Sequence, residues 1–405
     1  MVDRTTHPAI LTPPFVRVAV ATFWIEVAWS LTIHLPRFFQ DLGASEGQIG
    51  LLYSVAAAVG LALRPLVGRL LDVWGRKPLL VTAAVTEVVF LAAYLLVSAF
   101  AAPAFVIRVI QASAQLIMFT ALMTYAADAL PAARRAQGLA LFGLTGLIPI
   151  GVGGVLGDVV IDAGGFTALL TSAVVAAALG ATIMITLPVL PTLSPGDEAR
   201  RSIWAAAKQP DLLPMWVLGL TFSIGLESIF VFMATFVDES RVGSAGVYFV
   251  AHSASAVAVR LVGSGWTDRF GYRRVVLPSI TMFAAAFVGL AFVDAVPLLV
   301  VAGVLAGTGH GTLFPAISSQ VVARARPSER GSAIAVFTAL FDLALLAGIP
   351  VVGRIIDTVG YRAAFLTIAV MISIGIAGFV VLDENPHRSP GAMLEASGVT
   401  PRAGP

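Results

Sequence analysis

The sequence predicts an all-α integral membrane protein of twelve transmembrane helices, arranged as two pseudo-symmetric six-helix bundles. Three observations predict it: a composition too apolar for a soluble chain, twelve apolar stretches long enough to cross a bilayer, and a repeat that lays the first half over the second. Of 405 residues, 58% are hydrophobic, a further 38 are Gly, and only 12% are charged. Soluble proteins run at roughly 45–50% apolar with Gly included and about 25% charged. So few charges cannot cover so much apolar surface. That excludes an ordinary cytoplasmic enzyme, a disordered chain and a nucleic-acid binder. The formal net charge of +2 says little by itself. With no Cys in the chain, disulfides, thiolate metal sites and cysteine nucleophiles are excluded as well.

A helix crosses the hydrocarbon core in about 20 mostly apolar residues. That ruler gives spans at 15–38, 47–70, 78–100, 104–127, 137–157, 166–190, 213–236, 244–266, 275–295, 297–322, 331–353 and 362–382. Nothing shows the period-two alternation of barrel strands. Turn residues punctuate the gaps at Gly43-Ala44-Ser45, Pro103, Pro131, Gly164-Gly165, Pro214 and Pro327. The first span is too long for a cleaved signal and carries Glu26 at its middle. With the N-terminus inside, 18 of the 25 Lys and Arg residues fall on the cytoplasmic side. Only Arg37, Arg241, Arg354 and Arg362 fall outside, while Arg64, Arg108 and Arg260 lie within spans. The positive-inside rule therefore predicts a multi-pass protein of the cell (inner) membrane with both termini cytoplasmic.

The domain reading follows: 1–14 a cytoplasmic N-terminus, 15–190 one six-helix bundle, 191–212 a cytoplasmic linker, 213–382 the second bundle, and 383–405 a disordered tail rich in Pro and Gly. Within the linker, 203–207 reads either as a short surface helix, with Ile203 and Trp204 dipping into the interface, or as solvated chain. The halves repeat. RPLVGRLLDVWGRK follows the second span and RLVGSGWTDRFGYRR the eighth, so that Arg64 and Arg260, Asp72 and Asp268, and Gly75 and Gly271 correspond at one offset of 196 residues. Pro131 and Pro327, and Arg134 and Arg330, obey the same offset. Duplicated halves put the substrate path at their interface.

The repeated segment has a physical logic. Gly68 and Asp72 are four apart and share a helix face. Gly68 admits a close neighbour, and Gly75 ends the helix. Arg76 and Lys77 follow outside the bilayer, as Arg273 and Arg274 follow Gly271 in the second copy. Asp72 sits at the membrane border and needs a partner. Arg76 is the nearest, and Asp128 at the end of the fourth span completes an Asp–Arg–Asp cluster. The plainer reading is a basic anchor with a Gly stop.

These residues resemble the loop signature of the major facilitator superfamily, G-x-x-x-D-x-x-G-R-K between helices 2 and 3, with a weaker echo between helices 8 and 9 where Ser264 stands for the first Gly. A second family signature, R-x-x-Q-G on helix 4, is matched by Arg108, Val109, Ile110 and Gln111, with Ala112 in place of Gly. A third, the exporters' G-P-x-x-G-G on helix 5, is partly met. Gly146, Pro149, Gly151, Gly153 and Gly154 are present, but Ile148 precedes the proline and the Gly pair comes one residue late. The resemblance covers 15–382. It implies the major facilitator fold, proton coupling through the helix 4 arginine, and a cytoplasmic latch that holds the outward-open state. A salt-bridge cluster able to form in only one arrangement biases a two-state equilibrium.

Ionisable groups inside spans are costly and suggest function. Thr22, Glu26, Ser30 and His34 form one polar stripe with Trp29 beside it, expected to face a cavity or the bundle interior. A carboxyl there can hold a proton at one stage of a cycle and release it at another. Glu227, mid-helix 7, is its counterpart in the second half. Arg108 is expected to hold an anionic partner or tune a nearby acid, with Gln111 beside it. Glu87 is the weaker candidate, since third helices in the family usually sit at the periphery. Asp342 is placed to pair with Arg64 across the halves, and Arg64 and Arg260 read as a gate more readily than as an anion site. His34, His252 and His310 read as packed groups rather than relays. The Gly run on helix 5 and Gly303, Gly307, Gly309 and Gly311 read as close helix packing. Trp24, Trp29, Phe222, Phe230 and Phe232 are candidates to line an apolar pocket.

The function expected is proton-coupled export (antiport) of a small amphiphilic drug or metabolite by alternating access. Proton-coupled uptake of a sugar or organic acid is the alternative. A membrane-embedded enzyme, channel or sensor is the remoter class, because the chain has no paired metal-ligand histidines, no G-x-S-x-G turn and no phosphate-binding loop. The expected protein is thus no enzyme and has no metal, cofactor or ATP site. It works as a monomer in lipid, with protons and a small molecule as partners.

Overall fold

The computed structural model describes residues 10–131, 134–190, 203–263 and 265–383. Among these there is no strand, and eleven helical runs are long and apolar enough to cross a membrane. In the first half these are α1 (Pro13–Asp41), α2 (Glu46–Trp74), α3 (Arg76–Leu96), α4 (Ala102–Asp128) and a run ending in Leu144–Ile185. In the second they are α7 (Leu213–Ser240), α8 (Ala245–Val262), α9 (Tyr272–Ala291), α10 (Val296–Arg324), α11 (Pro327–Val359) and α12 (Tyr361–Leu382).

The run Leu144–Ile185 has 42 residues. Unbroken, at 1.5 Å per residue, it would reach about 63 Å, twice the hydrocarbon thickness. It is broken at Gly164 (φ −156°) and Gly165 (φ +66°), where the chain turns back. The break yields α5 (144–163) and α6 (166–185), and with them the twelve crossings expected. Glycine makes the reversal because the positive φ at Gly165 is strained for a residue with a Cβ.

Helix starts follow local chemistry. Pro13 and Pro14 open α1 behind the Thr12 cap, whose Oγ1 accepts from Phe15 N at 3.4 Å. Ser45 and Gln48 cap α2 reciprocally. The linker stretch 203–207 is the short helix of the two readings, packed beside the start of α11, and Trp204 is exposed. Residues 1–9, 191–202 and 384–405, including most of the expected linker and the tail, lie outside the described residues.

Small residues bring the helices together. Gly153 on α5 lies against Ser30 of α1, and Gly157 against the His34 ring. Across the halves, Gly154 meets Phe249 of α8, and Ser253 Oγ donates to Leu147 O at 2.7 Å. The second inter-half seam runs along α2 and α11, where Gly50 lies against the Ile349 backbone. Gly157→Val is expected to force the His34 ring from its site and to lower thermal stability in detergent by about 1–3 kcal/mol. Unchanged melting of the purified variant would count against this packing.

Candidate functional site

Between the halves lies a cavity of about 1450 Å³, lined by residues from both. At one end it reaches Gln137, Asp268, Gln320 and Ala323, on the face that carries the 203–207 helix, called here the linker face. At the opposite face the halves are clamped. Arg37 of α1 pairs with Asp238 of α7 and lies 3.5 Å from Asp158 of α5. Asp158 in turn accepts from Gly246 N of α8 at 2.6 Å. Glu46 of α2 accepts from Gln40 Nε2 at 2.7 Å and from the Tyr361 hydroxyl, which also meets Thr235 Oγ1 at 2.7 Å. Asp357 of α11 accepts from Ser45 Oγ, Glu46 N and Gly47 N at 2.8, 2.9 and 3.0 Å.

Glu26 and Glu227 both line the cavity, one from each half, and both are half-buried. Thr22 lines it too. The rest of the α1 stripe faces the bundle interior and not the cavity. Ser30 is fully buried and donates to Val27 O at 2.9 Å, and His34 turns its Nε2 to Gly154 O at 3.3 Å. Each four-residue step along a helix drifts about 40°, and a 3-10 turn at Thr32–His34 adds to it. By residue 30 the stripe has rotated onto α5, whose glycines leave room.

Arg108 lines the cavity with its guanidinium carbon 4.3 Å from the Tyr53 ring centroid, a cation–π contact. One terminal nitrogen donates to Gln111 Oε1 at 3.1 Å, while its Nε is buried without a hydrogen-bond partner. Gln111 does not line the cavity. It is a joint, accepting also from Tyr94 Oη at 3.1 Å and donating to Glu87 Oε1 at 3.1 Å. Gln115 donates to the same oxygen at 3.0 Å. Glu87 is therefore no peripheral residue: it is 1% exposed, and α3 turns it toward α4 and the cavity. A burial argument from its charge alone would have found it.

Asp342 pairs with Arg64 across the halves, as expected, and Arg64 also donates to Thr338 Oγ1 at 3.2 Å. Arg260 faces the cavity and donates to Gly311 O at 3.3 Å. His310 lines the cavity, and its Nδ1 lies 3.1 Å from Nε2 of buried His252. That pair, 58 residues apart in the chain, carries no sequence signal. Of the five aromatic candidates, Trp29 and Phe230 line the cavity and meet edge to face at 5.2 Å. Trp24, Phe222 and Phe232 do not, and Phe314 and Phe341 take their place.

In the repeated loop, Arg76 pairs with Asp128 at 2.5 Å. The Asp72 side chain lies outside the described residues, so the third member of the cluster is not placed. In the second copy Asp268 and Arg274 are exposed, Gly271 turns the chain at φ +82°, and Arg273 donates to Asp383 O at 3.4 Å. Lys77 is half-buried. Gly68 does not admit a neighbour as expected: nothing lies within 4 Å of where its Cβ would stand. The halves are parted at this end, so its packing partner is absent.

Residues 18–263 and 240–402 match the family model described as Major Facilitator Superfamily. Uncharacterized MFS-type transporters of Burkholderia mallei and Burkholderia pseudomallei are 27% identical over 176 residues, which is 43% of this chain and 43% of theirs. One from Salmonella typhimurium is 28% identical over 157 residues, 38% of this chain and 40% of that protein. The match thus spans less than half the length of these relatives. Among solved structures, the nucleoside transporter NupG superposes with a TM-score of 0.76 at 16% identity, covering 92% of this chain and 100% of its own. A bacterial homolog to the human lysosomal transporter Spinster gives 0.76 at 14%, covering 93% and 98%. The human organic anion transporter MFSD10 gives 0.66 at 16%, covering 91% and 100%. At such identities the likeness is one of fold.

Proposed function

Because this chain belongs to the major facilitator superfamily, we propose that it is a secondary active transporter, working by alternating access and exporting a small amphiphilic drug or metabolite in exchange for protons. The observation that carries this reading is the pair Glu26 and Glu227, one carboxyl from each half, facing a single cavity sealed at one face and extended to the other. With both termini read as cytoplasmic from the basic loops, the open end is the cytoplasmic one and this conformation is inward-facing. Reversing the seal moves both carboxyls from one aqueous phase to the other. A proton picked up outside is then released inside, which drives a compound the opposite way. The walls suit an amphiphile, since Trp29, Phe230, Phe314 and Phe341 supply apolar faces beside the charges. The proton gradient is the energy source, no cofactor or ATP enters the cycle, and the chain acts as a monomeric carrier in the inner membrane, not as an enzyme.

Proton-coupled uptake of an organic acid is the second reading. Arg260 and the unpartnered Nε of Arg108 favour it, since both could receive a carboxylate. Purified protein in liposomes, screened against amphiphilic cations and organic acids at two pH values, separates the two. Saturable counterflow of one class is expected. Flux that never saturates would indicate a channel and end both readings.

A further inference from the structure

We propose that Asp357 is a second latch: a positioning residue of the transport cycle that holds the cavity shut at the face opposite the linker by capping α2 from the other half. The inference rests on the alternating-access reading and adds a named device to it. At the end of α11 the chain reads Gly353-Arg354-Ile355-Ile356-Asp357-Thr358-Val359-Gly360, with Gly, Asp and Gly spaced as in Gly68, Asp72 and Gly75 at the end of α2. The backbone agrees as well. Gly75 stands at φ +80°, ψ 169° and Gly360 at φ +89°, ψ 170°.

The first amide groups of a helix have no partner within it, and its N-terminus carries partial positive charge. In α2 the Ser45–Gln48 capping box leaves the Glu46 and Gly47 amides open. Asp357 takes both, together with the Ser45 hydroxyl. These are charge-assisted hydrogen bonds, and they join residues over 300 apart in different halves, so they exist only while this face is closed. Glycines allow the approach: a Cβ on Gly47 would stand 2.7 Å from Asp357 Oδ2, and one on Gly50 2.9 Å from Ile349 O. At the other end of α2, Gly68 and Gly75 have nothing within 4 Å. Since α2 and α11 run antiparallel side by side, the same Gly, Asp and Gly spacing recurs at opposite ends of one helix pair. We infer that the two ends engage in alternate states of the cycle.

The absence of Cys makes the test direct. Single reporters Thr32→Cys, in the cavity near the sealed face, and Ser319→Cys, in the cavity near the linker face, are labelled by an impermeant maleimide in right-side-out and inside-out vesicles. Asp357→Ala should speed Thr32→Cys labelling from the outer face by about two- to thirtyfold, the range a lost helix cap implies, and slow Ser319→Cys labelling from the inner face. Gly47→Ala keeps the charge but displaces the carboxylate, so it should shift both rates the same way. It carries the test if Asp357→Ala does not assemble. Asp72→Asn should shift them oppositely. Unchanged rates, or both rates rising together as in a loosened structure, overturn the latch alone. If the unsubstituted background labels Thr32→Cys equally fast from both faces and passes solute without saturation, as a continuous pore would, alternating access itself falls and the latch with it.

Discussion

Glu26→Gln is expected to insert and fold normally yet to lose transport driven by a pH gradient altogether. The amide nearly matches the carboxyl in volume, and Glu26 is half-buried against the cavity, so the substitution removes little packing. What it removes is the group that can let a proton go. Uphill accumulation in liposomes under an imposed pH gradient should fall to background, while substrate-for-substrate exchange, which needs only the rocking of the halves, persists. Purified Glu26→Gln that still accumulates substrate with full dependence on the gradient would transfer the coupling role elsewhere, with Glu227 the next group to substitute. Glu227→Gln separates the two acids: if each alone abolishes coupling, the proton path needs both.

Arg108→Ala is expected to abolish transport and to destabilise the N-terminal half as well. Arg108 is buried, lies over Tyr53, and is tied through Gln111 to Glu87. Deleting one member of a buried charge network leaves the other uncompensated, at a cost of about 3–5 kcal/mol. Arg108→Lys should recover part of the stability but not the flat stacking or the forked hydrogen bonding. The double variant Arg108→Ala with Glu87→Gln should regain much of the lost thermal stability, because no orphan charge remains, and still fail to transport. If the double variant melts no higher than Arg108→Ala alone, the two groups are not coupled through Gln111.

Much of this architecture was legible in the linear chain for one reason: lipid imposes a length and a polarity on every span. The twelve crossings, the stop glycines and the Arg64–Asp342 pair all follow from spacing, charge placement or repeat. Glu26 and Glu227 were legible because a carboxyl inside a span demands an explanation by itself. Glu87 gave the same signal, and the family habit of a peripheral third helix outweighed it. Which part of the α1 stripe meets the cavity and which the bundle interior was not legible, because a four-residue stripe drifts around a helix and the 3-10 turn at Thr32–His34 has no marker beyond Pro36.

What the chain determined alone was its relation to the bilayer, since desolvation acts on each helix separately and needs no neighbour. The two-bundle plan and the identity of the buried charges belong to that level. Only the tertiary structure decided how the remaining polar groups meet. Arg37 with Asp158 and Asp238, His252 with His310, Glu46 with Tyr361, and Asp357 with the start of α2 join residues of different helices, most of them in different halves. Such contacts depend on how the helices rotate and cross, which is set by the close fit of Gly153, Gly157, Gly47 and Gly50 against particular neighbours. That fit is a property of two surfaces at once, and no single helix encodes it.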